Sequence, residues 1–188
     1  MPETIGALAI VLIVGSVLIR IRVLQAQGAN AMKFGQRDRH DYFIPPFALL
    51  YFYTIFGNLF GWPLLSHQRL LNSEFLSALG ATLCVLGALF FYWSIFSFGK
   101  SFRVGIDADN PDALITSGAF SVSRNPIYVA FLLVLIGEFL IFPNWVPLIY
   151  LFAACWLINR QIGLEESFLR QHYGSKFEDY CRTVRRYL

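Results

Sequence analysis

Three stretches of this 188-residue chain combine residue types and spacing that suit chemistry. The first is Ser123-Arg124-Asn125-Pro126-Ile127-Tyr128. Asparagine is a good helix N-cap, and proline at the first helical position sacrifices no hydrogen bond, so a helix is expected to start here. The unpaired amides and positive dipole end of such a start suit a carboxylate or phosphate. Arg124 adds a fixed charge beside it, although an ordinary capped helix accounts for the segment taken alone. The second stretch is Arg160 with Glu165 and Glu166. Adjacent carboxylates near a membrane are uncommon, because each needs water or a cationic partner. Glu166 and Arg170 are spaced i, i+4 and can pair. Glu165 has no equally good local partner, so a cationic ligand or solvent must satisfy it. The third is the segment from Gly99 to Asn125, with Lys100, Arg103, Asp107, Asp109 and Asp112.

Other chemistries fail on spacing. In Asp107-Ala-Asp109-Asn110-Pro111-Asp112, Pro111 stands where a calcium loop needs a ligand, and Gly118 where it needs the closing glutamate. Cys84, Cys155 and Cys181 form no CxxC, and His40, His67 and His172 are scattered, so no metal site is expected. No glycine-rich phosphate loop follows a strand. Glu138, inside an apolar block, is expected to snorkel to the interface or to pair locally.

The elements that must position these residues are membrane helices. The chain is 56% hydrophobic and 14% charged, with a mean hydropathy of +0.55. A soluble domain carries nearer a quarter charged residues. About 20 apolar residues cross the hydrocarbon core as a helix. Apolar blocks run from Ile5 to Leu24, Tyr42 to Leu65, Phe75 to Phe98, Pro126 to Phe142 and Trp145 to Ile162. The expected fold is therefore an all-α integral membrane protein of about five transmembrane helices in a single domain, 1–188. The last two blocks are close enough to form a hairpin.

Alternating these spans places fourteen of the 15 Lys and Arg residues on one side, leaving only Arg69 opposite. By the positive-inside rule the N-terminus is outside and the C-terminus cytoplasmic. The first block runs into Arg20 and Arg22 rather than a cleavage site, which suits a retained helix. A net charge of +3 without a long basic run speaks against nucleic acid. The tail from Gly163 reads as two short helices broken at Gly174. Phe177, Tyr180, Cys181 and Val184 make the second amphipathic, suiting a helix on the membrane interface or one packed on core loops. No small-xxx-small face stands out in the apolar blocks.

Taken in order, several of these pieces resemble the isoprenylcysteine carboxyl methyltransferase family and its phospholipid methyltransferase relatives. The elements are Arg124-Asn125-Pro126-Ile127-Tyr128, a helical hairpin, Glu165-Glu166, Tyr173-Gly174, Tyr180 and Val184-Arg185-Arg186. Upstream, Gly99-Lys100-Ser101-Phe102-Arg103 resembles the family's Gly-x-x-Trp-Arg stretch. Asn125 stands for the family's histidine, Phe102 for its tryptophan and Arg185 for its proline. The likeness covers about residues 80–188, so 76–188 is the methyltransferase-like core and 1–75 an undiagnostic helical pair.

The resemblance implies methyl transfer from S-adenosyl-L-methionine, with S-adenosyl-L-homocysteine as product, to a lipophilic or lipidated acceptor at the cytoplasmic face of an inner or ER-type membrane. It implies cofactor contacts at Phe102, Arg103, Asn125, Pro126, Tyr128, Glu165 and Glu166. Arg124 and Arg160 would orient the acceptor, a carboxylate in the first instance; no metal is implied. Tyr180-Cys181-Arg182-Thr183-Val184 also resembles the tail of NADPH-dependent sterol reductases, but a doubled carboxylate would repel the 2′-phosphate. A non-catalytic helical assembly protein is the third reading.

Overall fold

A computed structural model describes residues 1–26, 44–63, 69–98 and 114–188. Among the described residues all regular structure is helical: α1 (Pro2–Ala26), α2 (Ile44–Phe60), α3 (Glu74–Phe98), a 3₁₀ turn (Gly118–Ser121), α4 (Pro126–Ile141), α5 (Trp145–Tyr173) and α6 (Ser175–Thr183). Among the described residues three stretches are long and apolar enough to cross a bilayer, Pro2–Val23, Glu74–Phe98 and Trp145–Tyr173. Ala48–Phe60 and Pro126–Ile141 are apolar but shorter. The long helices expose apolar side chains outward, among them Leu8 and Ile19 on α1, Leu89 and Phe96 on α3, and Phe152 and Trp156 on α5. A helix apolar all round suits lipid on its outer face.

The tightest packing joins α3 to α4, and it depends on small residues. A Cβ on Gly80 would lie 2.5 Å from the Gly137 carbonyl oxygen, and one on Gly137 would lie 2.6 Å from Cys84 Sγ. Backbones this close exclude larger residues, which is how helices gain van der Waals contact where lipid offers no hydrophobic drive. Gly80, Cys84 and Gly87 therefore form a small-residue seam that the sequence reading did not find, because its spacing alternates four and three. Phe91, Ala130, Val134 and Ile141 continue the core. Ala7, Ile10 and Ile13 of α1, Tyr51 and Ile55 of α2 and Tyr150 of α5 close around it.

Two expectations are corrected. The tail is not two short helices, because α5 runs unbroken through Gly163 to Tyr173. Hydropathy falls after Ile162, but Leu, Glu and Arg are good helix formers and outweigh one glycine. The break comes at Gly174, whose φ is +54° and whose N–H closes on the Arg170 carbonyl at 3.0 Å. Of the two places expected for the apolar face of α6, the structure shows the packed one: Phe177, Tyr180 and Val184 are buried against Leu114, Leu169 and Tyr173. The second correction is Glu138, which is 2% exposed inside the bundle and, among the described residues, has no partner at Oε1.

Candidate active site

The site is built where the start of α4 meets the polar half of α5. Pro126 opens α4 and is fully buried there. Asn125 precedes it, but its side chain makes no cap. Its Nδ2 donates instead to the Arg186 carbonyl at 3.0 Å, and its own N–H to Ser123 Oγ at 3.1 Å. The proline has no N–H, and the first-turn amides of Ile127 and Tyr128 have no intrahelical acceptor.

One turn into α4, the Tyr128 hydroxyl donates to Glu165 Oε1 on α5 at 2.6 Å. Gln161, one turn earlier on α5, donates to the same oxygen at 3.0 Å. Among the described residues nothing donates to the other oxygen, Oε2. Glu165 is half-buried. Its carboxylate is thus held by one oxygen and can accept from a hydroxyl or ammonium with the other.

Glu166 has a different task. Its side chain is 5% exposed and lies between two arginines. Arg124 donates to Oε1 from Nε at 3.2 Å and from Nη2 at 3.0 Å, and Arg186 donates to Oε2 from Nη2 at 2.6 Å. Arg124 Nη1 also reaches the Cys181 and Val184 carbonyls at 3.2 and 3.1 Å. A buried carboxylate between two such donors is a strongly assisted, charge-paired junction. It ties the start of α4, the middle of α5 and the end of α6 together. The bond to Glu166 also raises the Arg186 guanidinium above its ordinary range. Arg170, the expected local partner of Glu166, lies instead over the Phe177 ring, 5.9 Å from its centroid.

The segment after α6 doubles back along this junction. The Arg124 N–H donates to the Arg185 carbonyl at 2.9 Å, and the Tyr187 hydroxyl to Asn159 Oδ1 at 3.1 Å. From the other side, Tyr180 donates to the Phe120 carbonyl at 2.6 Å, and burial pushes its phenol up to about 12. The Ala119 N–H in turn binds Ser97 Oγ at 3.0 Å, so the 3₁₀ turn couples α6 to the end of α3.

Of the residues expected from sequence, the structure brings together Arg124, Asn125, Pro126, Tyr128, Glu165 and Glu166. Arg160 is half-buried on α5 between Asn159 and Gln161. Phe102 and Arg103 lie outside the described residues. The sequence reading assigned no role to Gln161, Asn159, Arg186 or Tyr187. Gln161 had a findable signal, its i, i+4 spacing to Glu165; the other three meet their partners only through the chain's return.

Comparison with known proteins gives the chain a family. The family model for phospholipid methyltransferases matches residues 75–176. A probable protein-S-isoprenylcysteine O-methyltransferase of Oryza sativa subsp. indica is 27% identical over 113 residues, which is 58% of this chain and 59% of that protein. Protein-S-isoprenylcysteine O-methyltransferase B of Arabidopsis thaliana is 27% identical over 112 residues, covering 58% and 57%. Protein-S-isoprenylcysteine O-methyltransferase of Tribolium castaneum is 30% identical over 115 residues, covering 59% and 41%. The match thus spans less than two thirds of each relative's own length. The family model's span takes in the α3–α4 seam, the Arg124–Tyr128 helix start and the doubled carboxylate and covers more than half of the chain, which belongs to the phospholipid methyltransferase family.

Proposed function

We propose that this protein transfers the methyl group of S-adenosyl-L-methionine to a lipophilic or membrane-associated acceptor, with a carboxylate as the group methylated. The observation that carries the reading is the 2.6 Å bond from Tyr128 to Glu165, which fastens a helix start to a carboxylate with one oxygen to spare. Both residues lie within the family match.

The cofactor would supply an electrophilic methyl on a sulfonium, together with a carboxylate, an ammonium and a ribose diol. The donor set fits those groups. Glu165 Oε2 accepts from the ribose hydroxyls or the ammonium. The amides of Ile127 and Tyr128 at the start of α4 receive the carboxylate. Phe102 and Arg103 stay assigned to the cofactor through the resemblance. Glu166 acts as a positioning residue, since its oxygens already serve Arg124 and Arg186.

Methyl transfer to a carboxylate needs alignment and exclusion of water rather than a base, because the acceptor is ionised at neutral pH. An arginine orients such a group well. Three of Arg124's nitrogens are committed to Glu166 and to the Cys181 and Val184 carbonyls. Arg124 thus serves to hold Glu166 in place, and Arg160 stays assigned to the acceptor through the resemblance. In the bilayer the chain would make five crossings, α2 and α4 included. The N-terminus would be outside and the site on the basic, cytoplasmic side of an inner or ER-type membrane.

Thermal shift of the purified protein in detergent, with S-adenosyl-L-methionine against NADPH, tests the cofactor. At about 100 times its dissociation constant a ligand stabilises by roughly 2.7 kcal/mol, which raises Tm measurably. Transfer of a labelled methyl to an isoprenylcysteine carboxylate, the acceptor in the relatives' names, tests the chemistry. A shift with NADPH alone, or none with S-adenosyl-L-methionine, removes the proposal.

A further inference from the structure

Glu138 is a carboxylic side chain that the proposed reaction does not use. It lies near the end of α4 remote from Pro126, 2% exposed, and among the described residues its Oε1 has no hydrogen-bond partner. The hydroxyl of Tyr51 on α2, 8% exposed, is likewise without a partner. Tyr51 and Ile141 belong to one buried cluster, and Glu138 lies one turn before Ile141 on α4. Cys84 on α3 lies beside Gly137, the residue before Glu138, and the Tyr51 ring packs on that of Tyr150 from α5, 5.3 Å between centroids. On α1, Oε1 of Glu138 lies 2.4 Å from where a Cβ on Gly6 would be. Among the described residues no Lys or Arg pairs with Glu138; the ion pairs of Glu3 and Glu166 lie elsewhere.

Buried polar atoms are almost always bonded, and orphans point to a small polar guest. One orphaned acceptor and one orphaned phenol in the same core match a single water, which accepts from Tyr51 and donates to Glu138. We propose that Glu138 and Tyr51 form a membrane-embedded site for one structural water, joining α4 of the methyltransferase-like core to α2. Glu138 lies inside the family match and Tyr51 outside it. The site therefore acts as a specific polar fastening for the N-terminal helix pair. It does not depend on the proposed activity.

The sign of a stability change tests it. With the water in place, Tyr51→Phe removes one of its two partners, and Tm in detergent falls by about 2–4 °C. In a Glu138→Met background the same substitution has little effect or raises Tm, because the partnership is already gone. A neutral or stabilising Tyr51→Phe in the wild-type background overturns the proposal, and so do effects that add across the two backgrounds. If Glu138→Met does not fold, a high-resolution map decides: density within hydrogen-bond distance of both Glu138 Oε1 and Tyr51 Oη is expected. A direct Tyr51–Glu138 bond, or no density, sinks it.

Discussion

Tyr128 on α4 and Glu165 on α5 are 37 residues apart, and the hydroxyl of one binds a carboxylate oxygen of the other at 2.6 Å. The contact fixes which oxygen of Glu165 remains for a ligand. Glu165→Gln keeps the shape but replaces the carboxylate, so Oε2 loses its charge. A hydrogen bond to a charged group contributes about 1.5–3 kcal/mol, so KM for the methyl donor should rise by roughly ten-fold or more. Tm without ligand should change little. An unaltered KM would remove Glu165 from the cofactor site.

Glu166 should behave in the opposite way. Breaking a buried charge pair by deleting one member costs about 3–5 kcal/mol, because the other charge is left unpaired. For a chain of this length each kcal/mol moves Tm by about 2–4 °C. Glu166→Ala and Arg124→Ala should therefore lower Tm by roughly 10 °C or more, with or without ligand. Arg186, whose side chain is 44% exposed, should show a smaller fall on truncation to alanine. Equal and small effects from all three would mean that the junction does not hold the helices together.

How far these contacts are legible in the sequence follows from what each kind of signal measures. Hydropathy found the five apolar blocks, and Asn-Pro marked the start of α4, because both signals are local. It ended the fifth helix at Ile162, eleven residues early, because apolarity reports the bilayer while backbone bonding continues through Glu165, Glu166 and Arg170. Local spacing paired Glu166 with Arg170. The actual partners are 42 and 20 residues away and arrive only when the α4–α5 hairpin forms and the chain doubles back after α6. The Gly80–Cys84–Gly87 seam was missed because single glycines in an apolar run look alike until a second helix lies against them.

That seam makes two glycines differ in sign. A Cβ on Gly137 would meet Cys84 Sγ and the Gly80 carbonyl oxygen at 2.6 Å each, and the carbonyl cannot turn away. Gly137→Ala should destabilise by at least the 1–3 kcal/mol typical of overpacking. Gly163 lies within α5, and among the described residues nothing is within 4 Å of a Cβ built on it. Gly163→Ala should raise stability by roughly 0.5–1 kcal/mol, through helix propensity alone. Thermal unfolding of the two variants side by side checks both signs.

The Tyr180 phenol supplies a pH dependence whose direction is fixed. Burial raises it from the ordinary value of about 10 to about 12, with Arg124 opposing. A group whose proton is held more tightly in the folded state stabilises fully below its unfolded pKa. That contribution fades as pH climbs from about 10 through about 12. The difference corresponds to roughly 2–3 kcal/mol at most. Tyr180→Phe loses the bond to the Phe120 carbonyl, so its Tm should be lower at neutral pH. It should then fall less steeply than that of the wild type between pH 10 and 12, so that the two curves converge. Parallel curves across that window would mean that Tyr180 ionises as freely in the folded protein as in the unfolded chain, and that α6 is not sealed against the 3₁₀ turn.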